Sequence, residues 1–293
     1  GMTEEEVDKY INQIALSGAL DFIARYEGEE SKGGGIIGHF GLGFYSAFMV
    51  ASSVELETKS YTSAPAVFWD CNENGEYQLE EADKANRGTE ITLHISEDEV
   101  EYLDYEKTKA VLEKYCAFMP YPIYIREGDK EELINEVQPV WQKQPSEVEE
   151  ADYNALYKKL FNDYRDPLFY IHINADYPLN FKGVLYFPAL RNSYESNEGC
   201  IKLFYNSVFV ADNIKEIVPD YLYSLCGVLD CPELPLNVSR SYLQDNSYVS
   251  KLSAHIVKKI ADRLLKLKNE DFDKYTKLWD AIKPYIEYGC LKD

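Results

Sequence analysis

The spacing of apolar and polar residues at the start of the chain predicts a short amphipathic helix. Thr3 and Glu6 stand three residues apart, which is the spacing of a capping box that opens a helix. Val7, Ile11 and Ile14 follow at helical intervals. We therefore expect one apolar helix face that continues past residue 11.

A polar stretch and an apolar stretch come next. Residues 27–35 are polar and rich in glycine, a composition typical of a mobile loop. Residues 44–50 are apolar almost throughout, and we expect them to form a buried helix. The glycines at 38, 41 and 43 lie between these two stretches.

Alternating apolar and polar residues then predict a group of strands followed by a helix. A capping-box spacing between Ser96 and Glu99 predicts a helix that runs towards Cys116. Pro120 and Pro122 end it, because proline cannot continue the hydrogen-bond ladder. The expected strands are 53–58, 66–69, 77–79, 90–95 and 123–125.

The second half of the chain has its own mixture of helices and strands. Residues 129–133 between the halves are short in extent and charged, and we take them as a linker. The fold class expected is α+β or α/β: two α/β domains with mixed sheets, at residues 1–128 and 134–293. The pattern predicts strands at 169–173, 181–187 and 201–211, and helices at 146–161, 218–229, from 246 onward and at 272–288.

The charge of the chain limits its partners. Its 293 residues include 30 Lys and Arg against 51 Asp and Glu, a formal net charge of −21. A field of that sign repels phosphate backbones, so we expect no nucleic-acid partner. A nucleotide can still bind through local backbone amides, because screening weakens the distant charges.

The cysteines and the hydropathy indicate a compartment. None of the six cysteines forms a C-x-x-C pair, which predicts free thiols in a reducing cytosol. The four histidines are too scattered in sequence to suggest a metal site. No apolar run is long enough for a membrane span, and no signal peptide is evident. We therefore expect a cytoplasmic protein with no membrane partner.

The stretch Gly38 to Phe44 is the first candidate for chemistry. Its G-x-x-G-x-G pattern fits a phosphate-binding turn, but taken alone it is weak evidence, because tight structural turns are also rich in glycine. Glycine lets the backbone approach an anion closely, and the predicted helix that follows would point free N–H groups at it. The preceding polar loop is where a closing lid would be placed.

Two further segments carry candidate residues. Arg240, in the segment 234–244, offers a planar charged fork that suits phosphate oxygens, although an arginine paired with a surface carboxylate explains it as well. Trp141 is either packed in a core or exposed to grip a client or other partner.

Four motifs in order along the chain resemble a known family. Residues 37–47 closely resemble the third nucleotide-binding motif of the 90-kDa heat-shock chaperones, and residues 87–91 resemble the next landmark of that domain. Residues 139–146 resemble the start of the family's middle domain, and residues 234–244 its catalytic segment. The short linker suits the bacterial branch of this family.

The resemblance implies a partial Bergerat (GHKL) ATPase domain followed by an α/β middle domain with a C-terminal helical part. Residues 1 to about 35 would be the ATP lid and its approach. Arg240 would reach the γ-phosphate, supported by Asn237 and Gln244. The implied ATP or ADP contacts are Ser17, Gly18, Gly38, His39, Phe40, Gly41, Leu42, Gly43 and Phe44. His39 stands where the family often has glutamine, and Leu16 where it often has lysine.

The resemblance also places part of the ATP pocket upstream of residue 1. The family's general-base glutamate, magnesium-binding asparagine and adenine-reading aspartate would lie there, so we expect no metal ligand within this chain. The full-length protein would be an ATP-dependent chaperone for unfolded or partly folded clients, with possible co-chaperones, homodimeric through a further C-terminal domain. The alternative is an inactive binding fragment. A type II topoisomerase or mismatch-repair relative fits less well, because residues 234–244 do not resemble their lysine-bearing loop.

Overall fold

The chain folds into two compact α+β units. The computed structural model describes residues 1–18, 38, 41–177, 179–188, 200–212, 217–222, 224–233 and 246–292. The first unit contains Gly1–Leu112 and Arg126–Lys130, and the second Glu113–Ile125 and Glu131–Asp293. The expectation of mixed helix and sheet is confirmed, while the domain boundary at 129–133 stays a prediction.

The first helix is shorter than its apolar stripe suggests. Helix α1 covers Glu4–Tyr10, and Thr3 and Glu6 form the predicted capping box. Ala15 has a φ of 63°, which a continuing right-handed helix does not allow. Ile14 is accordingly 68% exposed, so the predicted extension of the apolar face past residue 11 is wrong.

The first unit is built on one antiparallel sheet. Its strands lie in the order β3-β2-β1-β4, and each neighbouring pair is antiparallel. The strand predictions are confirmed, but the mixed sheet expected here is wrong, because the strands pair antiparallel throughout. Val54, Leu56 and Trp69 alternate towards its core. The strands are β1 Ala51–Lys59, β2 Ala66–Asn72, β3 Tyr77–Ala82 and β4 Gly88–Ile95.

Two predicted helices of this region take other forms. Phe44–Met49 is a 3-10 helix with no buried residue, so the buried helix predicted there is wrong. The helix expected from Ser96 begins as a 3-10 helix, Glu97–Leu103, whose Glu99 leaves helical geometry. Helix α2, Tyr105–Cys116, follows it.

A two-stranded hairpin lies in the region taken as a linker. Strand β5 covers Tyr124–Glu127 and strand β6 covers Lys130–Leu133. Gly128 turns the chain between them with a φ of 57°. Most of the charged segment 129–133 is therefore β-strand.

The second unit carries a five-stranded mixed sheet, as expected. The strands lie in the order β10-β9-β11-β8-β7, and only β11 with β9 is parallel among these pairs. Helix α3, Glu150–Phe161, precedes the sheet. The strands are β7 Phe169–Ala175, β8 Phe181–Phe187, β9 Ile201–Tyr205, β10 Val208–Asp212 and β11 Cys226–Asp230.

Two predictions fail within this sheet. The expected strand 201–211 is two strands, because Asn206 and Ser207, at φ 48° and 64°, turn the chain back. The helix predicted at 218–229 is a 3-10 turn, Asp220–Leu222, followed by β11. A short apolar run fits a strand buried on both sides as well as it fits a helix.

Two long helices end the chain, as predicted. Helix α4 covers Asn246–Glu270, and helix α5 covers Phe272–Lys292. Leu252, Ile256 and Ile260 of α4 are buried against the sheet's core. Within the described ranges, no helix has both the length and the apolar composition needed to cross a membrane. All six cysteines are free thiols.

The close approach of β8 and β11 yields a stability prediction. A Cβ at Gly183 would lie 2.2 Å from the Val228 carbonyl oxygen, and the backbone there cannot give way. Gly183→Ala should lower the free energy of unfolding by about 2–3 kcal/mol.

Gly289→Ala is the matched control. Gly289 lies in α5, and a Cβ there would make ordinary contact with the Tyr221 ring at 3.4 Å. It should be neutral or stabilising by up to about 1 kcal/mol. Urea unfolding of both variants checks this, and an unaffected Gly183→Ala would contradict the described strand packing.

A half-buried histidine yields a pH prediction. Burial lowers the pKa of His172, a hydrogen bond with the Trp141 backbone raises it, and the charge of Lys182 lowers it, with a net decrease. Below about pH 6.5 the unfolded chain therefore binds a proton that the folded chain resists, and stability falls as the pH falls. His172→Gln keeps a partner for the Tyr153 hydroxyl, which lies 2.8 Å from His172 Nδ1. The variant should lose less stability than the parent between pH 7 and pH 5 in thermal unfolding. Equal losses would show that His172 does not contribute to this acid sensitivity.

Candidate functional site

The glycine-rich turn is packed against the segment that follows α1. Gly41 has a φ of +64°, in the left-handed region that favours glycine. A Cβ there would lie 2.5 Å from the Leu16 carbonyl oxygen. Ser17 Oγ donates to the Gly38 carbonyl at 3.4 Å, a long hydrogen bond. The structure thus brings Ser17 and Gly38 together, and Gly41 against Leu16.

Two glycines of the turn have no described neighbour where a Cβ would lie. No heavy atom of the described residues lies within 4 Å of a Cβ built on Gly38 or on Gly43, and both residues are exposed. Gly18 is different, because its Cβ would meet the Tyr10 ring at 3.2 Å. Among the described residues, Gly38 and Gly43 therefore leave room beside the backbone, while Gly18 and Gly41 are used for packing.

The far end of the turn is anchored to the sheet and to α1. The Gly43 carbonyl accepts hydrogen bonds from Ser46 N at 3.3 Å and from Ser46 Oγ at 2.6 Å. The Phe44 ring packs edge-on against Trp69, with ring centroids 5.6 Å apart. The Tyr45 hydroxyl donates to the Ile11 carbonyl. These contacts hold the turn, and no atom of the described residues covers Gly43.

The chemistry that this arrangement permits is anion binding by backbone amides. The helix after Gly43 is a 3-10 helix of 6 residues, Phe44–Met49, so any contribution of a helix dipole is small. A phosphate group could approach the backbone at Gly38 and Gly43, where none of the described atoms lies beside the glycine. Leu42 is half-buried beside them. His39 and Phe40 lie outside the described residues.

The residues proposed for the catalytic segment are not described. Asn237, Arg240 and Gln244 lie in residues 234–245, outside the described ranges. The chain is described up to Glu233 and again from Asn246. Among the described residues, no group of three or more His, Cys, Asp or Glu side chains could hold a metal ion.

Trp141 is a core residue. Its side chain is 0% exposed and packs against Phe118, with ring centroids 4.6 Å apart, and against Phe204 at 5.7 Å. The packing alternative is therefore the one that the structure supports. The interpretation of Trp141 as an exposed partner contact is wrong for this structure, because the aromatic cluster encloses the ring.

Sequence reasoning missed a buried carboxylate next to the undescribed segment. Asp230 ends β11 and is 3% exposed. Its oxygens accept hydrogen bonds from Gln142 and Ser207, and a longer one from Trp141. The available signal was an acidic residue that ends the apolar run Val228-Leu229 just before the candidate catalytic segment.

Comparison with known proteins agrees with these features. The model of the Hsp90 protein family matches residues 126–293. Chaperone protein HtpG of Porphyromonas gingivalis (strain ATCC 33277) is 46% identical over 305 aligned residues, which cover 100% of this chain and 44% of that protein. Chaperone protein HtpG of Borreliella afzelii is 35% identical over 309 residues, covering 100% of this chain and 50% of that protein.

The chain spans half or less of the length of these relatives, 44% of one and 50% of the other. The family match, however, covers more than half of the chain itself, at residues 126–293. The relatives align with the whole chain, including the glycine-rich turn. The chain therefore belongs to the Hsp90 family.

Proposed function

We propose that the chain is part of an ATP-dependent molecular chaperone that assists the folding and maturation of client proteins. Its family membership supports the chaperone activity. The observation that supports nucleotide binding is the glycine-rich turn. Gly41 is packed there, while no described atom lies beside Gly38 or Gly43. We further propose a cytoplasmic homodimer of full family length.

The turn would hold the phosphate end of the nucleotide. ATP with Mg²⁺ supplies the γ-phosphoryl group that is transferred to water. The backbone N–H groups around Gly43 would donate to phosphate oxygens, because no side chain intervenes at this position. Ser17 and Gly18 would border the same pocket, since the Ser17 hydroxyl is bonded to the Gly38 carbonyl.

Arg240 would stabilise the charge that develops on the phosphoryl oxygens. A guanidinium suits this task because it is permanently charged and presents donors in a planar fork. Asn237 and Gln244 would orient it. Support for these three roles comes from the resemblance of residues 234–244 to the family's catalytic segment, together with the family match over this part of the chain.

The open glycine yields a test of the turn. Gly43 has a φ of −61°, which alanine adopts without strain, and its Cβ would meet no described atom. Gly43→Ala should therefore change the free energy of unfolding by less than about 0.5 kcal/mol. The methyl group would occupy the space beside the amides and weaken ATP binding at least about fivefold.

The measurement is ATP binding by calorimetry together with thermal unfolding, in a protein of full family length that contains this chain. Gly41→Ala serves as the contrast, because its φ of +64° and the 2.5 Å approach to Leu16 should lower stability. If Gly43→Ala binds ATP as tightly as the parent, the turn does not hold phosphate.

Removal of the arginine tests the catalytic assignment. Arg240→Ala in the same full-length protein should lower the turnover number for ATP by about 100-fold or more, with a smaller effect on the KM. Arg240→Lys is the matched control, since it keeps the charge and loses the fork, and it should recover only part of the rate. Unchanged turnover in Arg240→Ala would refute the role.

The alternative of an inactive fragment has its own test. Magnesium-dependent ATP hydrolysis by the isolated 293-residue chain would refute that alternative.

A further inference from the structure

Two cysteines lie side by side at one end of the sheet of the second unit. Strands β11 and β9 run parallel, with Gly227 opposite Ile201. Gly227 N donates to the Cys200 carbonyl at 3.0 Å, so the pairing extends as far as Cys200. Cys226, the first residue of β11, therefore stands next to Cys200, which directly precedes β9.

The side chains of the two cysteines belong to the same face of the sheet. Alternation along β11 places Cys226 on the side of Val228. Alternation along β9 places Cys200 on the side of Phe204. Val228 and Phe204 belong to one buried cluster, and Cys226 packs against that cluster. The two thiols are also close enough for the charge of Cys200 to raise the pKa of Cys226.

The distance between neighbouring strands suits a disulfide bond. Adjacent strands lie about 4.7–4.9 Å apart, and the Cα atoms of a disulfide lie about 4.4–6.8 Å apart. The Cβ atoms of a disulfide lie about 3.8 Å apart, which is closer than the strand spacing. Because Cys200 and Cys226 stand at the starts of their strands, a small shift there brings the sulfur atoms together without moving the rest of the ladder.

The neighbouring Cys231 faces the other side of the sheet. It lies an odd number of positions from Cys226, and it belongs to the buried cluster that contains Leu229. Its side chain is 0% exposed, and burial raises the pKa of its thiol well above the ordinary value. Cys231 is therefore an internal control for any reaction at Cys226.

We propose that Cys200 and Cys226 form a redox-modification site, in which a hydroperoxide oxidises the two thiols to a disulfide that joins β9 to β11. This site goes beyond the proposed ATPase activity and does not depend on it. Pairs of this kind suit a reducing compartment, where disulfides form transiently in response to an oxidant.

The reaction balances with hydrogen peroxide as the oxidant. The Cys200 thiolate attacks one peroxide oxygen, so that an S–O bond forms, the O–O bond breaks and the leaving hydroxide takes up the proton that Cys200 lost. The Cys226 thiolate then attacks the sulfenic sulfur. The S–S bond forms, the S–O bond breaks, and the second hydroxide takes up the proton of Cys226. The two thiols lose two electrons to the peroxide, and the products are one disulfide and two water molecules.

Cys200 is the first thiol to react. Burial raises the pKa of both thiols, to about 11 for Cys226. At Cys200 the charge of Lys202 opposes this rise, although Asp212 adds to it. Because the thiolate is the nucleophile, the first step is slow at neutral pH and becomes faster as the pH rises. The pair should therefore respond to sustained exposure to peroxide.

The same geometry predicts that the disulfide is easily reduced. Neighbouring strands hold the two Cβ atoms away from their preferred separation, and a strained disulfide has a higher reduction potential. A small dithiol should therefore restore both thiols in the folded chain. Formation of the disulfide thus keeps Cys200 at a reversible stage of oxidation, before the irreversible sulfinic acid.

The first experiment maps the disulfide in the parent chain. The folded chain is treated with hydrogen peroxide, the oxidant is removed with catalase, and the chain is unfolded in excess alkylating reagent without reductant. Mass spectrometry should find Cys200 linked to Cys226, and Cys231 alkylated on the same tryptic peptide as Cys226. Dithiothreitol added before unfolding should leave all three cysteines alkylated.

Oxidation of the exposed Cys290 confirms that the peroxide treatment was effective. If Cys290 is oxidised while Cys200 and Cys226 both remain free for alkylation, the proposal is overturned. A link from Cys200 to Cys231 would overturn it as well, because it would contradict the assignment of the faces.

The second experiment measures how fast the disulfide forms. The rate should rise about tenfold between pH 7 and pH 8, because the thiolate fraction of a thiol with a raised pKa grows in that proportion. Cys290→Ser is the matched control and should react within about twofold of the parent rate, since it removes an exposed thiol that takes no part. Cys200→Ser should leave Cys226 free for alkylation.

A rate that does not change with pH would overturn the attack by a thiolate. Loss of the link in Cys290→Ser would show that the disulfide arises by exchange with Cys290, and would overturn the proposal. The mapping in the parent chain needs no variant, so it decides the outcome even if Cys200→Ser does not fold.

Discussion

The second unit depends on the close approach of β8 and β11. Gly183 and Gly227 allow it, because a Cβ at either position would lie within 2.7 Å of a carbonyl oxygen on the other strand. The approach buries β11 between an antiparallel and a parallel neighbour, and Val228 and Leu229 are 0% exposed. A strand held in this way leaves its last residue, Asp230, at a fixed position.

In the first unit, some glycines are needed for close packing and others are not. Gly41 is needed because the backbone of residue 16 lies where a side chain would be. Gly38 and Gly43 are not required by packing against any described residue, so their lack of side chains is available for a ligand. A tight turn and a phosphate site were alternatives in the sequence. The close approach at Gly41 supports the turn, and the phosphate site at Gly38 and Gly43 stays a proposal.

The sequence predicted elements well where periodicity and local chemistry agreed. The capping box of Thr3, the strands of the first unit and the two C-terminal helices were found from their spacing. Sequence reasoning failed where contacts between distant segments determine the secondary structure. Residues 226–230 form a short apolar run that fits a strand or a helix, and only the neighbours of β11 select the strand. Contacts with other segments likewise decide the 3-10 form of Phe44–Met49. Asp230 could not be identified as a buried hydrogen-bond acceptor, because its partners lie up to 89 positions away in the sequence.

The central proposal is that residues 38–44 and residues 234–245 both act on ATP in the full-length protein. The most direct measurement is photolabelling of the full-length protein with an ATP analogue that carries an aryl azide on its γ-phosphate, followed by mass spectrometry of the peptides. The account predicts labels in residues 38–44 and in residues 234–245, both suppressed by excess ATP. Labelling of only one of the two peptides, or of neither, would contradict it.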